Sequence, residues 1–98
     1  MKIYLLIDES YGSYNNDYFT SFQSFIDRES AMNYLAIKKE SKIENAMQVL
    51  NVSTIKELEN CSDVYDFDNR DDYYYIDIED WGYDNLRIVE QDVMEFKI

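Results

Sequence analysis

Apolar and polar positions follow two different rhythms along this chain. Ile3 to Ile7 is a nearly continuous apolar run, the pattern of a strand in a sheet with a packed face. Residues 9–17, ESYGSYNND, are rich in Ser, Asn, Gly and Tyr and read as a hairpin-type loop longer than a two-residue turn. A second strand is expected from Tyr18 to Ile26. It puts Phe19, Ser21, Gln23 and Phe25 on one face and Tyr18, Thr20, Phe22, Ser24 and Ile26 on the other. Neither face is cleanly apolar, so the pattern leaves the buried side undetermined.

The rhythm then changes. Asp27 is a good N-cap, and Met32, Leu35, Ala36, Ile43, Ala46, Met47 and Leu50 recur at helical spacings. One amphipathic helix over residues 28–50 fits, and so does a pair broken near Glu40–Ser41, because Lys39 interrupts the stripe. Thr54 and Glu57 have capping-box spacing and open a short second helix within residues 52–60, with Ile55 and Leu58 toward the core. The acidic residues 63–72 read as a loop. Beyond them Tyr74, Ile76 and Ile78 alternate with Tyr75, Asp77 and Glu79, the period of a half-buried strand. Residues 81–85 read as a turn with Gly82 at positive φ. Residues 86–89 and 93–98 read as further short strands, or as one strand interrupted near Gln91–Asp92. The order ββααββ defines an α+β fold, with a mostly antiparallel sheet of about four strands and a long and a short helix on one face. At 98 residues, without proline, internal repeat or linker, the chain is expected to form one domain over residues 1–98.

Charge changes this picture. The formal net charge is −12, from 21 acids and 9 bases. Residues 1–60 hold nine acids and six bases, and residues 61–98 hold twelve and three, so most of the imbalance lies in the C-terminal part. Such a chain does not seek nucleic acid or an anionic membrane, because affinity for either comes from Lys and Arg. Basic protein surfaces are the expected partners. Lys38, Lys39 and Lys42 form the one basic cluster, read as a solvated helix flank or as a docking patch for an acidic surface, this protein's own included.

Candidate chemistry is sparse. The chain has no histidine, which removes the commonest general base and the usual zinc ligand. Gly12 and Gly82 make no phosphate loop. Cys61 is the one cysteine, so no intrachain disulfide forms, and a lone thiol suits a reducing compartment. The apolar N-terminal run is too short for a signal peptide or a membrane span, and a cytoplasmic location is expected. The run Asp66 to Asp72 invites a calcium reading, but Arg70 and Asp71 stand where the EF-hand loop requires a ligand and a glycine. Glu95 and Lys97 form an E-x-K fragment of the kind found in metal-dependent nucleases, a common tripeptide in a chain that repels phosphodiesters. No catalytic residue, metal or cofactor is therefore assigned.

What remains is a stretch that sets acids beside aromatics. Its candidate partner-binding residues are Asp63, Asp66, Asp68, Asp71, Asp72, Tyr73, Tyr75, Asp77, Glu79, Asp80, Trp81, Tyr83 and Asp84. Carboxylates supply charge-matched hydrogen bonds to Arg and Lys, and tyrosines supply rigid contact area that stacks on guanidinium groups. The chain resembles in type the small acidic proteins of bacteriophages and mobile elements, among them anti-restriction and anti-CRISPR proteins that act as DNA mimics. Its size, its charge, the missing histidine and proline, and runs such as Asp71-Asp72-Tyr73-Tyr74-Tyr75 carry that likeness. Residues 2–35 also look like a common small strand–strand–helix module. The resemblance implies an inhibitor, in a host cytoplasm if phage-encoded, that occludes the basic site of a nuclease or other nucleic-acid-handling protein. The alternative is an adaptor without mimicry, homodimeric through an exposed edge strand.

Overall fold

The computed structural model describes residues 1–12 and 17–93. Five strands and two helices follow the order β1 (Lys2–Gly12), β2 (Asp17–Phe25), α1 (Arg28–Leu50), α2 (Ile55–Glu59), β3 (Val64–Arg70), β4 (Tyr73–Ile78) and β5 (Gly82–Asp92). All pairings are antiparallel, and the sheet order is β2-β1-β5-β4-β3. The fold is thus α+β with a five-stranded sheet, one strand more than the pattern announced, and the order is ββααβββ.

The extra strand is β3, in the stretch read as a loop. Val64 pairs with Ile78, Asp66 with Asp77 and Phe67 with Ile76, and the register shifts between Val64 and Asp66. Tyr65 is the additional residue of this bulge, so the inward-facing Val64 and Phe67 stand three apart and the two-residue period is hidden. β1 runs on past Ile7 because Asp8, Glu9 and Ser10 all find places in the sheet. β5 likewise begins at Gly82, so Tyr83, Asp84 and Asn85 belong to a strand instead of a turn. The β4–β5 loop is Glu79, Asp80 and Trp81, with Asp80 at φ 61°. Strand residues expected over 93–98 lie outside the described residues apart from Val93, whose N–H donates to the Met1 carbonyl.

α1 is one unbroken helix. Asp27 caps it, accepting from the Ser30 N–H at 2.7 Å. Asn51 ends it in the left-handed conformation, and the Val52 N–H closes on the Met47 carbonyl. Thr54 caps α2 by accepting from the Glu57 N–H at 3.1 Å. The core lies between this helical layer and one face of the sheet. Leu35, Ile43, Ala46 and Leu58 meet Leu6, Tyr74, Ile76, Ile78 and Leu86 there. The undecided face of β2 is settled by Phe25, which packs against Tyr34 of α1.

The middle of the helix interface is polar. Lys42 Nζ lies 3.0 Å from Asp8 Oδ1 and 2.9 Å from Asp84 Oδ1, while Lys38 Nζ lies 3.1 Å from Asp8 Oδ2. Lys39 donates to the Arg70 carbonyl at 2.9 Å, and Arg28 pairs with Asp72 at 2.9 Å. The lysine cluster is therefore not a solvated flank. It is turned onto the protein's own sheet and hairpin, and every cation of α1 bonds there. Burial pushes the Asp84 carboxyl above the usual carboxylate range, against the lowering effect of Lys42, with Asp8 adding to the rise.

Two substitutions test this frame. Lys42→Met leaves the buried Asp84 carboxylate without its cation, beside a half-buried Asp8 that keeps Lys38, and a loss of about 3–5 kcal/mol is expected in urea denaturation near neutral pH. An Asp with a raised folded pKa costs stability when ionised, and the cost fades as protonation sets in. Lys42→Met removes the group that holds the Asp84 pKa down, so the deficit should narrow as pH falls from about 7 to about 4.5. Gly82→Ala should cost more than the ~1 kcal/mol of positive φ alone, because an added Cβ would stand 1.7 Å from the Tyr11 carbonyl oxygen at φ 120°.

Candidate protein-binding face

The sheet has a second face, and among the described residues no helix or strand packs over it. Antiparallel register fixes what it displays. One transverse row runs Tyr18, Tyr11, Tyr83 and Asp77 across β2, β1, β5 and β4, ending at Asp66 on β3. The next runs Thr20, Glu9, Asn85, Tyr75 and Asp68, and a third Phe22, Ile7, Arg87, Tyr73 and Arg70.

The tyrosines form a stacked ribbon. Tyr11 and Tyr83 have ring centroids 5.8 Å apart at 21°, and Tyr75 and Tyr83 lie 5.8 Å apart at 26°. This offset geometry adds about 0.5–1.5 kcal/mol per pair beyond burial and holds the rings in place. Beneath them Asn85 is 6 % exposed and donates to the Tyr74 carbonyl at 3.0 Å. Arg87 Nη1 donates to Asn85 Oδ1 at 2.7 Å and its other amino group pairs with Glu9. Glu9 also accepts from the Tyr18 hydroxyl at 2.9 Å, and these two partners, Tyr18 first, lower its carboxyl pKa. The ribbon therefore rests on a hydrogen-bonded floor.

The acids that border the ribbon sit differently. Asp68 is held by Arg70, whose Nε donates to its Oδ1 at 2.9 Å, and that bond keeps its pKa low. Arg70 also lies 4.9 Å from the centre of the Tyr73 ring. Asp66 and Asp77 face one another across the β3–β4 pair, and neither makes a hydrogen bond or ion pair among the described residues. Directly opposed like charges destabilise a sheet. Their potential reaches the ribbon, since partial burial and then the charges of Asp77 and Asp66 raise the Tyr75 phenol pKa.

Of the thirteen residues the sequence singles out, the sheet gathers Asp66, Asp68, Tyr73, Tyr75, Asp77 and Tyr83 on this face. Asp63, Glu79 and Asp80 cluster at the end where β3 begins and the β4–β5 loop turns, where the Glu79 N–H donates to the Asp63 carbonyl at 2.8 Å. Asp71 and Asp72 lie at the opposite end, with Asp72 bound to Arg28. Two candidates belong elsewhere. Asp84 is 5 % exposed on the helix side and paired with Lys42, and Trp81 packs against the core. A partner reaching the open face does not meet either.

Contributors that escape the sequence reading include Tyr11, Tyr18 and Glu9 from the first hairpin, beside Arg70, Asn85 and Arg87. The signal for the hairpin residues is the register that pairs Gly12 with Asp17 and so sets Tyr11 against Tyr18. Among the described residues no three Asp, Glu or Cys side chains converge as metal ligands, and no helix is long and apolar enough to cross a membrane. Glu95 and Lys97 lie outside the described residues. Comparison with protein-family models, with curated proteins and with solved structures finds no match to this chain.

The opposed pair gives a stability test. Asp77→Asn should raise stability by about 0.2–1 kcal/mol by relieving Asp66, whereas Asp68→Asn should lower it slightly by freeing Arg70. Thermal melting of both variants at low salt, where surface charge is least screened, checks the opposite signs.

Proposed function

We propose that this protein is a non-catalytic inhibitor that inserts its open, tyrosine-bearing sheet face into the basic groove of a nucleic-acid-handling protein and blocks nucleic acid from it. The observation that carries the reading is the ribbon of Tyr18, Tyr11, Tyr83 and Tyr75, bordered by the uncompensated pair Asp66 and Asp77. Rigid tyrosines suit the centre of an interface, and unpaired carboxylates at its border steer a cationic partner and meet its Arg and Lys. A pair that costs stability within the fold is intelligible when its counterions come from outside.

The spacing of the charges refines the reading. Carboxylates two apart on one strand stand roughly 6.8 Å apart, against one phosphate per ~3.4 Å of a DNA strand. Cross-strand neighbours such as Asp66 and Asp77 come within about 4.5–5.5 Å at Cβ, but Arg70 neutralises Asp68. Charge and aromatic stacking, not a copied phosphate ladder, are what this face offers a groove. The likeness in type to anti-restriction and anti-CRISPR proteins makes a host defence nuclease the natural target.

The test is capture of partners from host lysate at low salt, followed by competition with duplex DNA for each purified partner. The expected result is competition that weakens as salt rises. In the Asp66→Lys, Asp77→Lys double variant it should fall at least tenfold, with melting unchanged within a few degrees. Undiminished competition by that folded variant would overturn the reading.

A further inference from the structure

The two edges of the sheet are built in opposite ways. The β3 edge is defended, with Asp66, Asp68 and Arg70 along it and a bulge at Tyr65. Charges and bulges are how sheets discourage a further strand from adding. Past Asp17 at its start, the β2 edge, unpaired among the described residues, has none of these devices. It is nine residues long and pairs with β1 in continuous register from Tyr4↔Phe25 to Gly12↔Asp17. Residues 18–26 contain no Asp, Glu, Lys, Arg or Pro. Tyr18, Phe19 and Phe22 stand 58 %, 61 % and 71 % exposed there.

We infer that the free edge of β2 is a homodimer interface, where a second copy adds its own β2 antiparallel and joins two sheets into one of ten strands. The occupant follows from charge and symmetry. Each copy carries −12, so two copies repel through most of their surfaces, and the acid-rich β3 edge is the worst approach. Pairing through β2 brings together strands whose one charged residue, Asp17, falls at the outer end of the pairing, opposite Asp27, and puts the β3 edges at the two far ends. A strand meeting its own copy antiparallel about a two-fold axis satisfies both sets of edge N–H and C=O groups at once. An axis near Phe22 sets Phe22 against Phe22 of the second copy on the open face, and Phe19 against Phe25 on the helix side. Phe22 also lies beside Ile7 in the third row of the open face, so the pairing extends an apolar strip that Leu5 and Val89 continue. The interface is small, at the low end of the ~1,200–2,000 Å² of stable complexes, so a micromolar dimer is expected.

This inference stands apart from the inhibitor reading, because β2 is the edge remote from Asp66 and Asp77. Sedimentation velocity over a hundredfold concentration range should show a monomer–dimer equilibrium that tightens as salt screens the repulsion. Hydrogen exchange should show protection of residues 17–25 growing with concentration. Phe22→Lys should weaken the dimer at least tenfold, since it sets two ammonium groups against each other across the axis, and Thr20→Lys should weaken it less, since it puts a single charge into the seam opposite Ser24 of the second copy. Both positions are exposed, and circular dichroism of the monomer confirms folding. Asp68→Lys on the other edge should leave association intact or strengthen it. A monomer at every concentration and salt would overturn the inference, as would a dimer whose protection appears on β3 or whose affinity ignores both lysine variants.

Discussion

Within the apolar contact of helix and sheet, Lys42 bridges Asp8 and Asp84, and this pairing fixes how the two layers meet. Ala31, Leu35, Ile43, Ala46 and Leu50 give α1 an inward stripe, and Lys38 and Lys42 stand beside it in the middle. An interface with two ammonium groups at its centre closes only if the opposing strands offer anions in register. Asp8 on β1 and Asp84 on β5 do so, standing in adjacent strands where the pairing sets Asp8 against Leu86 and Ser10 against Asp84. Removing one member of such a set strands the others away from water. The same cluster fixes the position of the helix along the strands, which an apolar stripe alone permits to slide.

That arrangement decides what the outside of the molecule looks like. Arg28, Lys38, Lys39 and Lys42 bond to the sheet and its hairpin, Lys2 pairs with Glu90, Arg70 with Asp68, and Arg87 with Glu9. Among the described residues these seven cations are engaged by the fold itself, while most acids have no such partner. A net charge of −12 is therefore felt at the surface almost undiluted, and most strongly at the β3–β4 end. The proposed partner surface is what remains acidic once these bases, Lys42 in the interior and Lys2, Arg28 and Arg70 at the surface, have found carboxylates within the fold.

The parts of this architecture that were legible in the sequence are those whose determinants are local. Asp27 and Thr54 cap the helices they precede, and Tyr74, Ile76 and Ile78 alternate as a strand should. The parts that were not legible depend on partners far along the chain. Asp8, just past the apolar run, shows no partner in the sequence until Lys38 and Lys42 are opposite it, and Asp84 looks like a surface acid until Lys42 is found above it. β3 hides because the bulge at Tyr65 spaces Val64 and Phe67 three apart. For the candidate face, the sequence marked Tyr75, Tyr83, Asp66 and Asp77 by crowding acids and aromatics together. Tyr11 and Tyr18 come from a hairpin at the other end of the chain, and strand order alone brings them alongside.

A sheet covered on one side must do something with its other side. Most exposed faces are polar, but this one carries stacked tyrosines on a floor of Asn85, Arg87 and Glu9, and that floor has a structural purpose. It gives the Asn85 amide and the Arg87 guanidinium partners within the sheet itself, so the face can remain open without a second layer. Rigidity lowers the entropy lost when such a surface meets a partner. The tyrosines then present apolar ring area with hydroxyls at the rim, a surface that tolerates both solvent and a protein groove. The opposed carboxylates Asp66 and Asp77 lie at the end of this rigid ribbon and not within it, so their repulsion is carried by the β3–β4 hairpin alone. Strain of that kind at the border of an ordered surface leaves the core undisturbed, and an arginine or lysine arriving from outside relieves it.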